Sequence, residues 1–228
     1  VMANGEACAA FCGPFSASHH KSSLLIGGQY SFYNAGSATN FSNHAYKMGP
    51  IHWGILERGT KTASGSHLLW PARIGTFSVV MGKLMGHPRT DGLPFSYLIG
   101  ENGQTWLVPG HNIITVGLYR DIHKWPMRDM RSKDNRKSII DFDWLSPLTI
   151  GEIIRGKKIL ENILKVNGDD VKEYHYHGMC IKASSLKNGL HYYDIALRLF
   201  MGQMLQLAKD NSVEGKPAWQ TGLGRWSD

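Results

Sequence analysis

The sequence predicts a mainly β chain: coils of a parallel β-helix built on six-residue repeats, a β-hairpin excursion, and a helical C-terminal region. Three observations carry this. From Leu56 a repeat head returns every sixth position, at Leu56, Thr62, Leu68, Ile74 and Val80. Four residues after the first four heads stand Thr60, Ser66, Ala72 and Ser78, all small. After Gly86 the beat stops, and helical apolar stripes appear further on.

The geometry explains the pattern. Each hexad supplies one short strand and one turn, and three hexads close a triangular coil. The head points into the prism and must be apolar, whereas the small residue packs near a corner where a larger one would clash. Successive coils stack at strand spacing, about 4.8 Å, and bury what one coil leaves exposed. Carried backwards, the register makes Met2, Cys8, Ile26, Phe32 and Ala38 further heads. Pro14, His20, His44 and Pro50 fall in the same slot and do not suit it.

Beyond the coils, Phe95–Ile99 and Thr105–Val108 flank Glu101-Asn102-Gly103, a hairpin with a glycine-bearing turn. Lys124 to Lys137 carries six Lys or Arg against Asp129 and Asp134, and with Pro126 inside it reads as an exposed loop. Ser146-Pro147 starts a helix with a capping serine and a first-turn proline, and Asn167-Gly168 stops it. Ile153, Ile154, Leu160, Ile163 and Leu164 form its stripe. A second helix is expected from about Gly189 to Lys209, with Tyr193, Leu197, Phe200, Met204 and Leu207 inward. The expected units are therefore coils over 1–86, the hairpin and basic loop over 87–145, and a helical region over 146–228 packed on the coils. The chain opens at Val1 inside the repetitive pattern, which reads as a piece of a longer protein.

Composition narrows the class. A net charge of +7 suits anionic ligands, but aromatic residues do not interleave with the basic strip as nucleic-acid binders require, Trp125 aside. No apolar run approaches bilayer-spanning length and no signal-peptide pattern is present. Three cysteines, Cys8, Cys12 and Cys180, are too few for a disulfide framework. The expectation is a reduced, cytoplasmic protein without nucleic-acid or membrane partners.

The run HHKSSLLIGGQYSFYNAGSATNFSNHAYKMGPIHWGILERGTKT, His19 to Thr62, resembles long bacterial hexapeptide-repeat proteins labelled as related to UDP-N-acetylglucosamine pyrophosphorylase. The likeness continues through LLWPARIG (Leu68–Gly75), VVMGKL (Val79–Leu84), LPFSYLI (Leu93–Ile99) and TVGLYRDIHKWPMRD (Thr115–Asp129). It implies a left-handed β-helix and nucleotide-sugar chemistry. The glycine-rich nucleotide loop of a pyrophosphorylase domain is missing from this sequence.

Polar residues crowd the middle coils: Asn34, Asn40, Asn43, His44, Tyr46, Lys47, His52, Glu57, Arg58 and Lys61. With eighteen residues per coil, Asn34 would lie under His52, Asn40 under Arg58 and Asn43 under Lys61. Amides suit sugar hydroxyls, and Arg or Lys suits phosphate. His44, His52 and His20 are candidate general bases, with Glu57 an orienting partner. Asn34, Asn40, Asn43, Lys47, Glu57, Arg58 and Lys61 are candidate substrate contacts, and the basic strip could clamp a phosphate between neighbouring subunits. Turn-ladder asparagines and corner histidines of a plain scaffold would account for the same residues. His175 and His177 share a strand face without a third ligand, so no metal site is expected. The expected function is acyl or nucleotidyl transfer to a sugar or nucleotide-sugar by a homo-oligomer. No cofactor is evident, and acyl-CoA or a nucleotide would be the donor. A non-catalytic scaffold or ligand-binding module of a larger protein is the alternative.

Overall fold

A computed structural model describes residues 3–42, 52–132, 134, 137 and 140–211. Short parallel strands stack into three sheets in the manner of a β-helix. One sheet runs β1 (Glu6–Cys8), β3 (Leu24–Ile26), β6 (Asn40–Ser42) and β9 (His67–Leu69). A second holds β2 (Phe11–Cys12), β4 (Gln29–Tyr30), β7 (Ile55–Leu56) and β10 (Arg73–Ile74). The third begins with β5 (Asn34–Ala35), β8 (Lys61–Thr62), β11 (Val79–Gly82) and β12 (Tyr97–Glu101).

The heads from Leu56 onward fill the interior. Leu56, Leu68, Ile74 and Val80 are at most 1% exposed, Thr62 is 3% exposed, and the small residues Thr60, Ser66, Ala72 and Ser78 are all buried. Thr62 is tolerated among apolar heads because its hydroxyl is bonded to the Tyr33 phenol at 2.7 Å and the Thr39 hydroxyl at 2.9 Å.

Upstream the six-residue beat gives the wrong heads. Leu25, Tyr30, Ala35 and Phe41 are the buried positions, and they pair in register with Leu68, Leu56 and Thr62 on later coils. Ile26 is only half-buried, Cys8 and Ala38 are exposed, and Met2 lies outside the described residues. Phe32 is buried, but at a corner with φ 48°, not as a head. The physical cause is that Leu25, Tyr30 and Ala35 follow one another at five residues, so a strict beat drifts. The histidine placed by that beat at His20 is exposed and occupies no apolar slot.

The coil length also varies. Lys61 pairs with Val79, eighteen residues on, but Asn34 pairs with Lys61 and Asn40 with His67, twenty-seven on. The expected stacking of Asn34 under His52 and Asn40 under Arg58 is therefore replaced by Asn34 beside Lys61 and Asn40 beside His67. Asn43, expected under Lys61, lies outside the described residues, and Lys61 pairs with Asn34 and Val79.

Past Gly86 the coil continues for one more rung, because β12 stacks parallel on β11 with Val79 opposite Tyr97. The hairpin forms there: β13 (Gln104–Val108) pairs antiparallel with β12 through Asn102-Gly103, both at positive φ. A second hairpin, β14 (Glu173–Tyr176) and β15 (Met179–Lys182), extends the sheet through β15.

Among the described residues three α-helices make the fold α/β, not mainly β. α1 (Val116–Arg128) takes in the start of the basic strip, so Lys124 to Arg128 is helix and not loop. Pro126 falls in its last turn, where only the helix end is disturbed. α2 (Pro147–Asn167) starts at the Ser146 capping box and stops before Gly168, as its sequence requires. Ile153 and Leu160 of its stripe are fully buried, whereas Ile154 is exposed. α3 (Ala183–Asn211) starts six residues earlier than expected, directly from β15. Its Tyr193 is buried and donates to the Pro94 carbonyl at 2.8 Å, tying the helix to the last coil. Among the described residues no helix is long and apolar enough to cross a membrane.

Candidate functional site

One corner of the coils repeats a left-handed backbone: Phe15, Phe32, Gly59, Phe77 and Phe95 all have positive φ. Aromatic rings stack up this corner. Phe15 and Phe32 are 5.2 Å apart, and Phe77 and Phe95 are 5.1 Å apart. At the middle rung the residue is Gly59, and the neighbouring Arg58 supplies the missing plane. Its guanidinium lies 4.6 Å from the Phe32 ring centre and 5.7 Å from that of Phe77, and it donates to the Asp141 carbonyl. Burial pushes this guanidinium down from its ordinary value, and Asp141 and Asp143 act the other way.

This column docks the segment carrying α1. Trp125 packs edge-on against Phe32 at 4.9 Å, and Phe142 packs against Phe15 at 5.4 Å. Buried Asn112 donates to the Phe77 carbonyl at 2.7 Å and fixes the turn before Thr115, the N-cap of α1. Leu118, Asp121 and Trp125 form the buried face of the helix, at helical spacing.

Between α1 and the coils lies a cleft of about 290 Å³. Phe15, Phe32, Asn34 and Lys61 line the coil side; Arg120, Asp121, Lys124, Trp125 and Arg128 line the helix side. Arg120, Lys124 and Arg128 are four apart, so they share one helix face over about 12 Å. Four cations thus surround one space with Asp121 as the acidic residue lining it. Lys61 and Asp121 form an ion pair, their side chains 18% and 12% exposed. Burial, then Arg120 and Lys124, push the Lys61 ammonium down to about 8. Lys124 is also lowered, by burial and by Arg128 and Arg120. Arg120 and Arg128 are exposed while Lys61 and Lys124 are partly buried, and cations crowded in this way are stabilised by a bound anion.

Of the residues singled out in the sequence, Asn34 and Lys61 come together here, and Lys124 of the basic strip joins them. Arg58 serves the aromatic column. Glu57 sits on another face, accepting from Arg73 at 2.9 Å. Asn40 is half-buried on the first sheet, and His20 and His52 are exposed away from the cleft lining. Asn43, His44, Tyr46 and Lys47 lie outside the described residues. His177 leaves the strand for a left-handed turn, so it and His175 do not share a strand face. The described residues hold no group of three or more His, Cys, Asp or Glu able to bind a metal. Arg120 and Asp121 carry no mark in the sequence reading, although the spacing of Arg120, Lys124 and Arg128 is a helical signal that Pro126 obscures.

Fold and cleft together define a protein of stacked parallel coils with a helix-walled, cationic cleft. The chain belongs to the family described as "Domain of unknown function (DUF4954)", whose model matches residues 1–164. That range takes in every coil, α1, the whole cleft and most of α2. Searches of curated proteins and of solved structures each found no match.

Proposed function

We propose that this chain binds a phosphorylated sugar or nucleotide-sugar in the cleft between α1 and the coils. The carrying observation is the convergence of Lys61, Arg120, Lys124 and Arg128 on one space, with Phe32, Trp125 and Asn34 beside them. Cations serve phosphate, the aromatic wall serves a sugar or base face, and an amide serves hydroxyls. The resemblance to proteins labelled with a nucleotide-sugar activity points the same way. The left-handed coil sense, the homo-oligomeric state and a cytoplasmic setting belong to the same proposal.

Transfer of an acyl or nucleotidyl group to such a ligand is the second reading. It is favoured by the Lys61–Asp121 pair, which puts a proton donor and acceptor inside the cleft. The described histidines do not line this space, so His20 and His52 are poorer candidates for that role.

Calorimetric titration with inorganic phosphate, glucose 1-phosphate and UDP-N-acetylglucosamine tests the binding reading. Binding should weaken at least about tenfold in Lys124→Ala, since a charge-assisted contact contributes about 1.5–3 kcal/mol. It should disappear when Arg120 and Arg128 are also replaced. If all three ligands fail to bind the wild-type chain, the proposal is wrong.

A further inference from the structure

We propose that Lys61 is an imine-forming residue, its Nζ condensing with the carbonyl of an aldehyde or ketone whose phosphate rests on Arg120, Lys124 and Arg128. This rests on the anion-binding reading of the cleft and adds a covalent step to it. Open-chain sugar phosphates have the required chemistry, a phosphate and a carbonyl on one short carbon chain.

The geometry supplies each part. Lys61 stands on β8, held between β5 and β11 by parallel pairing, so its stem starts from a rigid point. Its side chain is mostly buried yet lines the cleft. Among the described residues the charged groups facing it all come from α1: Arg120, Asp121, Lys124 and Arg128. The coil side adds the Asn34 amide, while the Tyr33 phenol is turned inward to the Thr62 hydroxyl. An amine desolvated beside other cations is the arrangement that turns a lysine into a nucleophile near neutral pH. Its ammonium is already displaced downward to about 8, so neutral amine is present there in useful amount.

The step balances without an oxidant or reductant. The Nζ lone pair attacks the carbonyl carbon, forming the C–N bond while the carbonyl π pair moves to oxygen. Asp121 takes the proton leaving nitrogen and passes it to that oxygen, giving a carbinolamine. The nitrogen lone pair then expels the hydroxyl as water, the remaining N–H proton passing through Asp121 to the leaving oxygen, and a neutral C=N bond remains. Before binding, Asp121 holds Lys61 in an ion pair; the incoming phosphate takes over the surrounding cations.

The test is reductive trapping. The full chain is incubated with D-glyceraldehyde 3-phosphate and cyanoborohydride at pH 8, and labelled lysines are mapped by mass spectrometry. Lys61 should be labelled at least about tenfold faster than other lysines, as its lowered ammonium predicts. Unphosphorylated D-glyceraldehyde should lose that preference, and excess inorganic phosphate should suppress it. Asp121→Asn should slow labelling of Lys61 while calorimetry still shows phosphate binding. Labelling of Lys61 no faster than the rest, with phosphate binding intact, overturns the imine and leaves the anion reading standing. Failure of phosphate to bind removes both.

Discussion

The Arg58 guanidinium lies 4.6 Å from the centre of the Phe32 ring, in the rung of the aromatic corner where the chain carries Gly59 in place of a phenylalanine. A charged plane thus completes a stack of rings, and α1 docks on the result through Trp125. The column is what holds the helix wall of the cleft in place.

Arg58→Ala should therefore cost stability and ligand binding together. Losing two ring contacts and the Asp141 contact should cost about 2–4 kcal/mol. Arg58→Lys should recover little, because an ammonium has no plane to stack. Urea unfolding reads the first effect and phosphate titration the second. Wild-type values for both in Arg58→Ala would separate the column from the cleft.

Gly59 has a different constraint from its neighbours. Its φ is +75°, and a Cβ there would stand 2.3 Å from Phe77 Cδ1. Gly59→Ala combines a left-handed alanine, about 1–2 kcal/mol, with overpacking of about 1–3 kcal/mol. A lowered melting temperature with weakened anion binding is expected. An unchanged melting point would mean that the Phe77 ring yields freely.

Lys61 makes stability depend on pH in a definite direction. Its folded value, about 8, lies below that of an unfolded lysine, near 10.4. Between those values the unfolded chain binds more protons, so stability rises with pH. Below about 8 both states hold the proton and the full cost of the buried charge is present. The stability of the wild type minus that of Lys61→Met should increase from pH 8 to 10.4, by up to about 3 kcal/mol. A flat difference across that window would show that Asp121 fully restores the ammonium.

The coil rhythm was legible from Leu56 because each head there meets a buried, uniform slot. Upstream, five-residue rungs at Leu25, Tyr30 and Ala35 carry buried residues as apolar as any head, so counting alone could not place them. The Ser146 cap and the Asn102-Gly103 turn were readable because each residue answers a local backbone demand. The cleft was half legible: Asn34 and Lys61 were marked for their chemistry, but their meeting depends on a twenty-seven-residue coil. Arg120 and Asp121 were hidden because Pro126 suggested a loop where it only ends a helix. Arg58 looked like a phosphate ligand, and only the ring corner shows why an arginine stands there.

The unequal coils carry a lesson about tolerance. Tyr30 pairs with Leu56 and Phe41 with Leu68, twenty-six and twenty-seven residues on, whereas Leu56 meets Ile74 eighteen on. The ladder reads which residues meet and is indifferent to how much chain travels between them. Neighbouring rungs therefore keep their partners whether eighteen or twenty-seven residues separate the paired positions.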